Sequence, residues 1–244
     1  MPKLIDAHCH LADDAFKESW LDEIQKAQKA GVETFISSAL CEEEFEWNLN
    51  NPHPSIKWCA GIHPYYEKTN LNDFDKLLKL CDEKQIIGIG EIGLDKRGDF
   101  EFQKPLLLKQ LDLASAYNLP VVFHVVGRYY ELLKILKNNF PQVRGYLHSF
   151  NSSREAVTEF SKFNLGFSVG SHLPKKEALN LIIQRGLLLL ETDAPFQKPV
   201  WEEDSINHLA NISKIADSVC QLSGLDRSSL EKIQADSYKI IFGE

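Results

Sequence analysis

The sequence lacks several features that would place it in other classes of protein. It has no apolar run of membrane-spanning length and no Cys-x-x-Cys pair, and its net charge of -8 leaves no excess of lysine and arginine. These absences argue against a membrane protein, a disulfide framework and a broad electrostatic grip on duplex nucleic acid. The chain has an odd number of cysteines, Cys9, Cys41, Cys59, Cys81 and Cys220. We expect them to be reduced and mostly buried thiols, and we expect the protein to be cytoplasmic.

Linkers and low-complexity segments are also missing. Glycine and proline are spread along the chain at apparent turns, and no long charge run marks a boundary. The first predicted strand begins at residue 3 or 4, so we expect no signal peptide. The 244 residues, 43% of them hydrophobic, suffice for one large core of the size that α/β barrels commonly have. We therefore predict one domain over residues 1–244.

Short apolar strands alternate with helices along the whole chain. Hydrophobic periodicity predicts eight strands, at 4–10, 32–39, 57–62, 86–91, 119–124, 144–148, 165–169 and 187–192. Helices are predicted between the strands, and two more, at 204–222 and 228–241, close the chain. Strands joined by helical crossovers form a parallel sheet. Eight such units predict an α/β fold of the (β/α)8 TIM-barrel type rather than an open doubly wound sheet.

Polar residues stand where these strands end. Histidines end strands one, five and six, another follows strand three, and carboxylates follow in strands four and eight; the residues are His8, His10, His63, Glu91, His124, His148 and Asp193. His8 and His10 are two positions apart, so both project from one face of the first strand. Because barrel active sites lie at the carboxyl ends of the strands, we expect all seven side chains at one mouth of the barrel.

Imidazoles and carboxylates together are typical ligands of divalent cations. Taken singly, each is more often a hydrogen-bonded core residue or half of a buried ion pair, but their joint placement favours a metal site. A pair of cations can activate a water and stabilise both the entering and the departing oxygens of a hydrolysis. Glu91 is suited to bridge two cations because a carboxylate has two oxygens. We predict Glu91 and Asp193 as catalytic residues, with Asp193 taking the proton of the attacking water.

Five segments of the chain resemble motifs of the TatD family of metal-dependent deoxyribonucleases. In chain order they are Asp6-x-His8-x-His10, Gly61-Ile62-His63-Pro64, Gly90-Glu91-Ile92-Gly93-Leu94-Asp95, Leu119-Pro120-Val121-Val122-Phe123-His124 and Leu190-Glu191-Thr192-Asp193-Ala194-Pro195. The resemblance implies a TIM-barrel hydrolase that uses two divalent cations, Mg²⁺, Zn²⁺ or Mn²⁺, to cleave DNA phosphodiesters. It also implies the residue roles: one ion held by His8, His10, Glu91 and Asp193, the second by Glu91, His124 and His148, and the substrate phosphate contacted by His63.

The loops after His124 and His148 differ from the family pattern; after His148 the family has Phe-Ser-Gly, where this chain has Ser149-Phe150-Asn151. Where the family has an arginine two residues after the histidine of strand five, this chain has Val126, and the nearest base is Arg128. We therefore take Arg128 as a candidate substrate-binding residue. Lys96 and Arg97, after strand four, fall on the same face and are expected to be solvated loop charges. The predicted metal ligands are intact, whereas the substrate-facing loops are altered.

Three functions fit this sequence. The first is a two-metal phosphodiesterase that acts on short or single-stranded DNA or on DNA ends, as an exonuclease would. The second is an amidohydrolase-type enzyme for a small-molecule ester or C–N bond; many such barrels bridge their metals with a carboxylated lysine, where this chain offers Glu91. The third is a non-catalytic descendant with a metal-stabilised scaffold. Nothing in the sequence indicates a membrane or an obligate protein partner.

Overall fold

Eight parallel strands form one sheet in the computed structural model, which describes residues 3–243. The strands pair in the order of the sequence, from first to last. Their bounds are β1 (Leu4–Cys9), β2 (Val32–Ala39), β3 (Ile56–Ala60), β4 (Gly88–Asp95), β5 (Val121–Val126), β6 (Arg144–Leu147), β7 (Asn164–Val169) and β8 (Leu188–Leu190). All eight predicted strands are present, each within a few residues of its expected position.

The segment that follows β8 is hydrogen-bonded to the end of β1, so the sheet closes into a barrel. The backbone N–H of Asp193 donates to the carbonyl of His8 at 2.9 Å, and the N–H of His10 donates to the carbonyl of Ala194 at 2.8 Å. The buried Asp6 carboxylate adds a third link, because it accepts hydrogen bonds from the backbone N–H and the hydroxyl of Thr192 at 2.9 and 2.6 Å. The predicted (β/α)8 TIM barrel is confirmed.

Helices follow the strands along the chain. Within residues 3–243 the α-helices are α1 (Trp20–Lys29), α2 (Glu42–Asn50), α3 (Asp73–Asp82), α4 (Phe100–Ala116), α5 (Tyr129–Asn139), α6 (Arg154–Phe160), α7 (Lys176–Gln184), α8 (Ile212–Ser223) and α9 (Arg227–Phe242). Serine, aspartate and glycine set several ends: Ser153 caps α6 by accepting from the N–H of Ala156, and Gly224 ends α8 in the left-handed conformation. None of the described helices is both long and apolar enough to span a membrane.

The predicted helix at 204–222 was wrong at its start. The α-helix begins at Ile212, after a short 3-10 helix, and residues 204–208 form a loop. Side chains satisfy backbone groups there: Asn207 accepts from the N–H of His208 at 2.9 Å, and Glu202 accepts from the N–H of Asp204 at 3.2 Å. Such local hydrogen bonds compete with the helical ones, so the loop is retained.

Strands β4 and β5 continue beyond their predicted ends at Glu91 and His124. β4 extends to Asp95 and β5 to Val126, and the two stay paired over the added residues. Both Glu91 and His124 therefore lie inside their strands. His124 is paired with Gly93, whereas Glu91 stands at an irregularity of the register between the paired residues Gly90 and Ile92. A side chain on a strand has less freedom than one on a loop, so the longer strands limit the movement of both groups.

Gly93 allows the close approach of β4 to β5. Its φ is +156°, and a Cβ built there would lie 1.9 Å from the carbonyl oxygen of His124. We expect Gly93→Ala to lower the free energy of unfolding by about 3 kcal/mol or more, because it adds a backbone clash to backbone strain. The control is Gly186→Ala, where φ is also positive but nothing lies within 4 Å of the added atom. We expect that change to cost about 1 kcal/mol. Equal urea midpoints for the two variants would contradict this explanation.

Two sets of buried apolar side chains form the core. The larger one lies between the sheet and the helices. The smaller one fills the barrel below its mouth and takes residues from six strands and from α9; its buried members are Ala7, Ile36, Cys59, Val122, Tyr146, Leu189 and Ile241. Since side chains alternate along a strand, the residues two positions after Val122 and Tyr146 face the same interior. Those residues are His124 and His148, so the inner core supports the polar layer above it.

Candidate metal centre

The seven residues singled out in the sequence come together at the carboxyl end of the barrel. Six of them face Glu91 or one another at distances below 4 Å; they are His8, His10, His63, His124, His148 and Asp193. Glu91 lies at their centre and is almost fully buried. The predicted convergence at one mouth is therefore present in the structure.

One carboxylate oxygen of Glu91 faces the first strand. Its Oε1 lies 3.2 Å from Nε2 of His8 and 3.2 Å from Nε2 of His10. Asp193 approaches the same two imidazoles from the end of β8, with its Oδ1 at 3.1 Å from Nε2 of His10 and 3.5 Å from Nε2 of His8. Two nitrogens and two oxygens thus surround one point.

The other oxygen of Glu91 faces the fifth and sixth strands. Its Oε2 lies 2.8 Å from Nε2 of His148 and 3.2 Å from Nδ1 of His124. These two imidazole nitrogens are 3.1 Å apart. Two neutral ring nitrogens can approach so closely only if one carries the hydrogen, or if both face a common cation. The two oxygens of Glu91 therefore serve two separate sets of donors.

The donor atoms of this cluster fit divalent cations. Nε2 of His8 is buried without a hydrogen bond, although two carboxylate oxygens lie within 3.5 Å of it. A buried polar atom with no partner is costly, and an unprotonated imidazole nitrogen aimed between carboxylates is the form in which histidine binds metal. The ligand atoms of His8, His10 and Glu91 lie within 4.8 Å of one another, as do those of His63, Glu91 and His124.

The carboxylates and imidazoles of the cluster shift one another's pKa values towards the charged forms. Burial opposes ionisation of Glu91, but the attraction of His148 and His8 outweighs it and holds the pKa of this carboxyl well below its usual range. The pKa of Asp193 is also lowered, where burial is outweighed by the hydrogen bond from His10. Burial disfavours the charged form of His148, yet Glu91 raises its pKa well above the ordinary value. Both carboxylates are therefore ionised at neutral pH, and an entering cation displaces protons from imidazoles.

His63 differs from the other histidines in its hydrogen bonding. Its Nδ1 accepts from the backbone N–H of Tyr65 at 2.9 Å. Burial, together with repulsion from His124, lowers the pKa of His63 to about 3, so the ring is neutral. Since Nδ1 is an acceptor, the hydrogen of the neutral ring is on Nε2, which points to Oε2 of Glu91 from 3.7 Å. His63 thus presents a hydrogen-bond donor to the centre.

Further polar groups hold the outer nitrogens of the imidazoles. Asp95 is hydrogen-bonded to Nε2 of His124 (3.0 Å) and Ser38 to Nδ1 of His8 (3.2 Å), whereas Oε1 of Glu191 lies 3.7 Å from Nδ1 of His148, beyond hydrogen-bond distance. Such partners fix the orientation of a ring and the nitrogen that carries its hydrogen. Sequence reasoning missed Asp95 and Ser38 in this role. A signal for Asp95 was present, because Glu91, Gly93 and Asp95 alternate along β4 and so face the same side.

Gln197 holds the second oxygen of Asp193. Its amide nitrogen donates to Oδ2 of Asp193 at 2.7 Å and also to the hydroxyl of Ser149. The three residues share a positive φ, of 47° for Gln197, 56° for Asp193 and 48° for Ser149. This contact leaves Oδ1 of Asp193 directed towards the histidines. Sequence reasoning missed Gln197, because nothing in its neighbourhood distinguishes it from an ordinary loop residue.

A cleft of about 590 Å³ opens above the donor cluster. Among the described residues that line it, Arg97 is the one lysine or arginine. The structure does not bring Arg128 to this cleft: its guanidinium lies over the ring of Phe100 at 5.1 Å and 3.7 Å from Glu131. Arg128 stands just before α5, and its Nε donates to the backbone carbonyl of Asp95 at 3.5 Å. The basic group at the cleft is thus Arg97, which was expected to be a solvated charge.

Comparisons with known proteins agree over nearly the whole chain. The profile of a family described as TatD related DNase matches residues 5–243. An uncharacterized metal-dependent hydrolase of Escherichia coli, YjjV, is 31% identical over 206 residues, which cover 79% of this chain and 80% of that protein. The human deoxyribonuclease TATDN3 is 28% identical, over 91% of this chain and 88% of its own. The crystal structure of YjjV superposes with a TM-score of 0.88 at 27% identity and covers 100% of this chain and 99% of its own.

Proposed function

Since the chain belongs to the TatD family and is a metal-dependent hydrolase acting on ester bonds, we propose that it cleaves phosphodiester bonds of DNA with two divalent cations. The observation that carries this proposal is the position of Glu91, whose two carboxylate oxygens face two different pairs of imidazoles. A bridging carboxylate of this kind suits a pair of cations rather than a single one. Human TATDN3, a relative named as a deoxyribonuclease, supports DNA as the substrate.

Two sets of ligands follow from these distances. The first would be His8, His10, Asp193 and Oε1 of Glu91, and the second would be His124, His148 and Oε2 of Glu91. Mg²⁺, Mn²⁺ and Zn²⁺ are the candidate ions. When bound, a pair of cations supplies Lewis-acid polarisation of the phosphoryl group and stabilises charge on the entering and departing oxygens.

Asp193 and His63 would act on the reactants directly. Asp193 is ionised because of its lowered pKa, and the hydrogen bond from Gln197 to its Oδ2 holds the carboxylate in place, so this group would take a proton from the attacking water. His63 is neutral with its hydrogen on Nε2, so it would donate to a non-bridging oxygen of the phosphate. The chain's own residues thus provide a base and a hydrogen-bond donor around one phosphorus.

We propose action at DNA ends or on single strands, as an exonuclease, because the cleft has the volume of a small-molecule site. We also propose that residues 1–244 form one domain, that no obligate protein partner is needed and that the protein works in the cytoplasm. The five cysteines are free thiols, which suits a reducing compartment.

The test combines removal of metal with a panel of substrates. Protein from which a chelator has removed the metal should have no activity. Adding back Mg²⁺, Mn²⁺ or Zn²⁺ should restore cleavage of a single-stranded oligonucleotide and of a p-nitrophenyl phosphodiester. Elemental analysis should find two ions per chain in the most active form. Turnover of lactones or amides but not of phosphodiesters would replace the proposal by an amidohydrolase. Bound metal without turnover of any substrate would leave the non-catalytic alternative.

A further inference from the structure

Two exposed aromatic rings stand on different sides of the donor cluster. The Phe196 ring lies 5.1 Å from the ring of His10, which faces Oε1 of Glu91. Tyr65 lies two residues after His63, which faces Oε2, and its backbone N–H is held by the His63 ring. Both rings line the cleft, and they are 44% exposed for Phe196 and 49% exposed for Tyr65. A group bound at Glu91 would therefore have a partly exposed aromatic ring on each flank.

Arg97 is fixed beside one of these rings. Its guanidinium lies 4.6 Å from the centre of the Tyr65 ring. The same guanidinium donates to both carboxylate oxygens of Asp95, with Nε at 2.9 and 3.0 Å. Its side chain remains 53% exposed, so the charge is held in place and still open to solvent. One fixed cation at a cleft suits a polyanion that is gripped at a single point.

We propose that Phe196 and Tyr65 are stacking surfaces for the two nucleobases that flank the cleaved phosphate, and that Arg97 binds the next phosphate on the Tyr65 side. This inference rests on the proposed phosphodiesterase function and names its occupant, a single strand of DNA. Bases in a duplex are stacked on their neighbours and cannot offer a face to a protein ring, whereas unpaired bases can. Every base has such a face, so the surface selects unpaired strands rather than a sequence.

The test measures binding apart from catalysis. A fluorescein-labelled thymidine tetranucleotide and its abasic counterpart are titrated by anisotropy in EDTA, and their hydrolysis is measured separately with divalent metal. Phe196→Ala and Tyr65→Ala should each weaken binding of the tetranucleotide by about 5- to 150-fold, the equivalent of about 1–3 kcal/mol per stacked base. Phe196→Ala should not change binding of the abasic strand, whereas Tyr65→Ala should weaken binding of that strand less than binding of the tetranucleotide, because the Tyr65 ring also packs against Arg97. Arg97→Gln should weaken both strands equally, because it acts on phosphate.

Matched variants distinguish the loss of stacking in the cleft from the loss of an exposed aromatic ring elsewhere on the surface. Phe102→Ala removes a ring that is 43% exposed and outside the cleft, and Tyr130→Ala removes one that is 75% exposed; both should bind as the unaltered protein does. Phe196→Tyr should keep the stacking. Equal affinity for the base-bearing and abasic strands would overturn the inference, as would equal losses at Phe102 and Phe196. Tighter binding of an RNA strand of the same sequence would overturn DNA as the occupant. Base-dependent binding without hydrolysis would remove the phosphodiesterase proposal alone.

Discussion

Asp193→Asn is expected to lower kcat for phosphodiester hydrolysis by about 10⁴-fold, the upper end of what a positioned general base contributes. The asparagine has nearly the same size and can still meet the amide of Gln197, so the loop after β8 keeps its conformation. What is lost is the negative charge at 3.1 Å from His10 and the ability to accept a proton from water. Single-turnover rates with saturating metal measure this loss of the chemical step.

The control for this change is Asp204→Asn, the same exchange in an exposed loop outside the cleft. This variant should keep kcat within about twofold of the value of the unaltered protein, because surface substitutions away from buried or functional groups have small effects. Metal content of the Asp193→Asn protein distinguishes two origins of the loss. A protein that binds both ions but does not turn over has lost the base, whereas a missing ion shows that Asp193 acts mainly as a ligand. Undiminished hydrolysis in the variant would remove Asp193 from the mechanism.

The barrel was predictable because its signals are local and repeated. Each of the eight strands is a short apolar run between helical patterns, and an error of a few residues in one run does not alter the count. The resemblance to TatD proteins was likewise confirmed by the comparisons, because its motifs are contiguous segments. Strand ends were harder to predict from the sequence. β4 continues to Asp95 because it pairs with β5, and neither segment alone carries a sequence signal for pairing with a distant segment.

The convergence around Glu91 was predictable from the alternation of side chains and from the position of barrel active sites, but the contacts around the cluster were not. Gln197 reaches Asp193 through a loop in which both residues have a positive φ, and loop conformation is set by the tertiary structure. Arg97 and Arg128 both follow strands at the same mouth, so sequence position alone does not distinguish them. Their difference lies in rotamers and neighbours: Asp95 and Tyr65 hold Arg97 at the cleft, whereas Phe100 and Glu131 hold Arg128 outside it.

Glu91→Gln is expected to abolish binding of the second cation and to weaken binding of the first by more than about 100-fold. This loss exceeds the one expected for a residue that only hydrogen-bonds to a metal ligand. The amide keeps the size of the side chain, but it has one oxygen where the carboxylate has two. One set of imidazoles then faces an NH₂ group, which cannot bind a cation. Hydrolysis should fall by at least about 10³-fold, because the charge stabilisation supplied by the ion pair is lost. Elemental analysis should find at most one ion per chain.

The metal-free protein offers a second, independent measurement of the same change. Glu91 raises the pKa of His148 and contributes to the raised pKa of His10, so the neutral amide should lower both values. Titration of the histidine ring protons by NMR follows these shifts without metal or substrate. The matched control is Glu67→Gln, an exposed residue at the cleft rim, which should leave both the titrations and the ion count unchanged. Two bound ions in the Glu91→Gln protein would show that the cations do not share this carboxylate, and the two-metal proposal would then have to be abandoned.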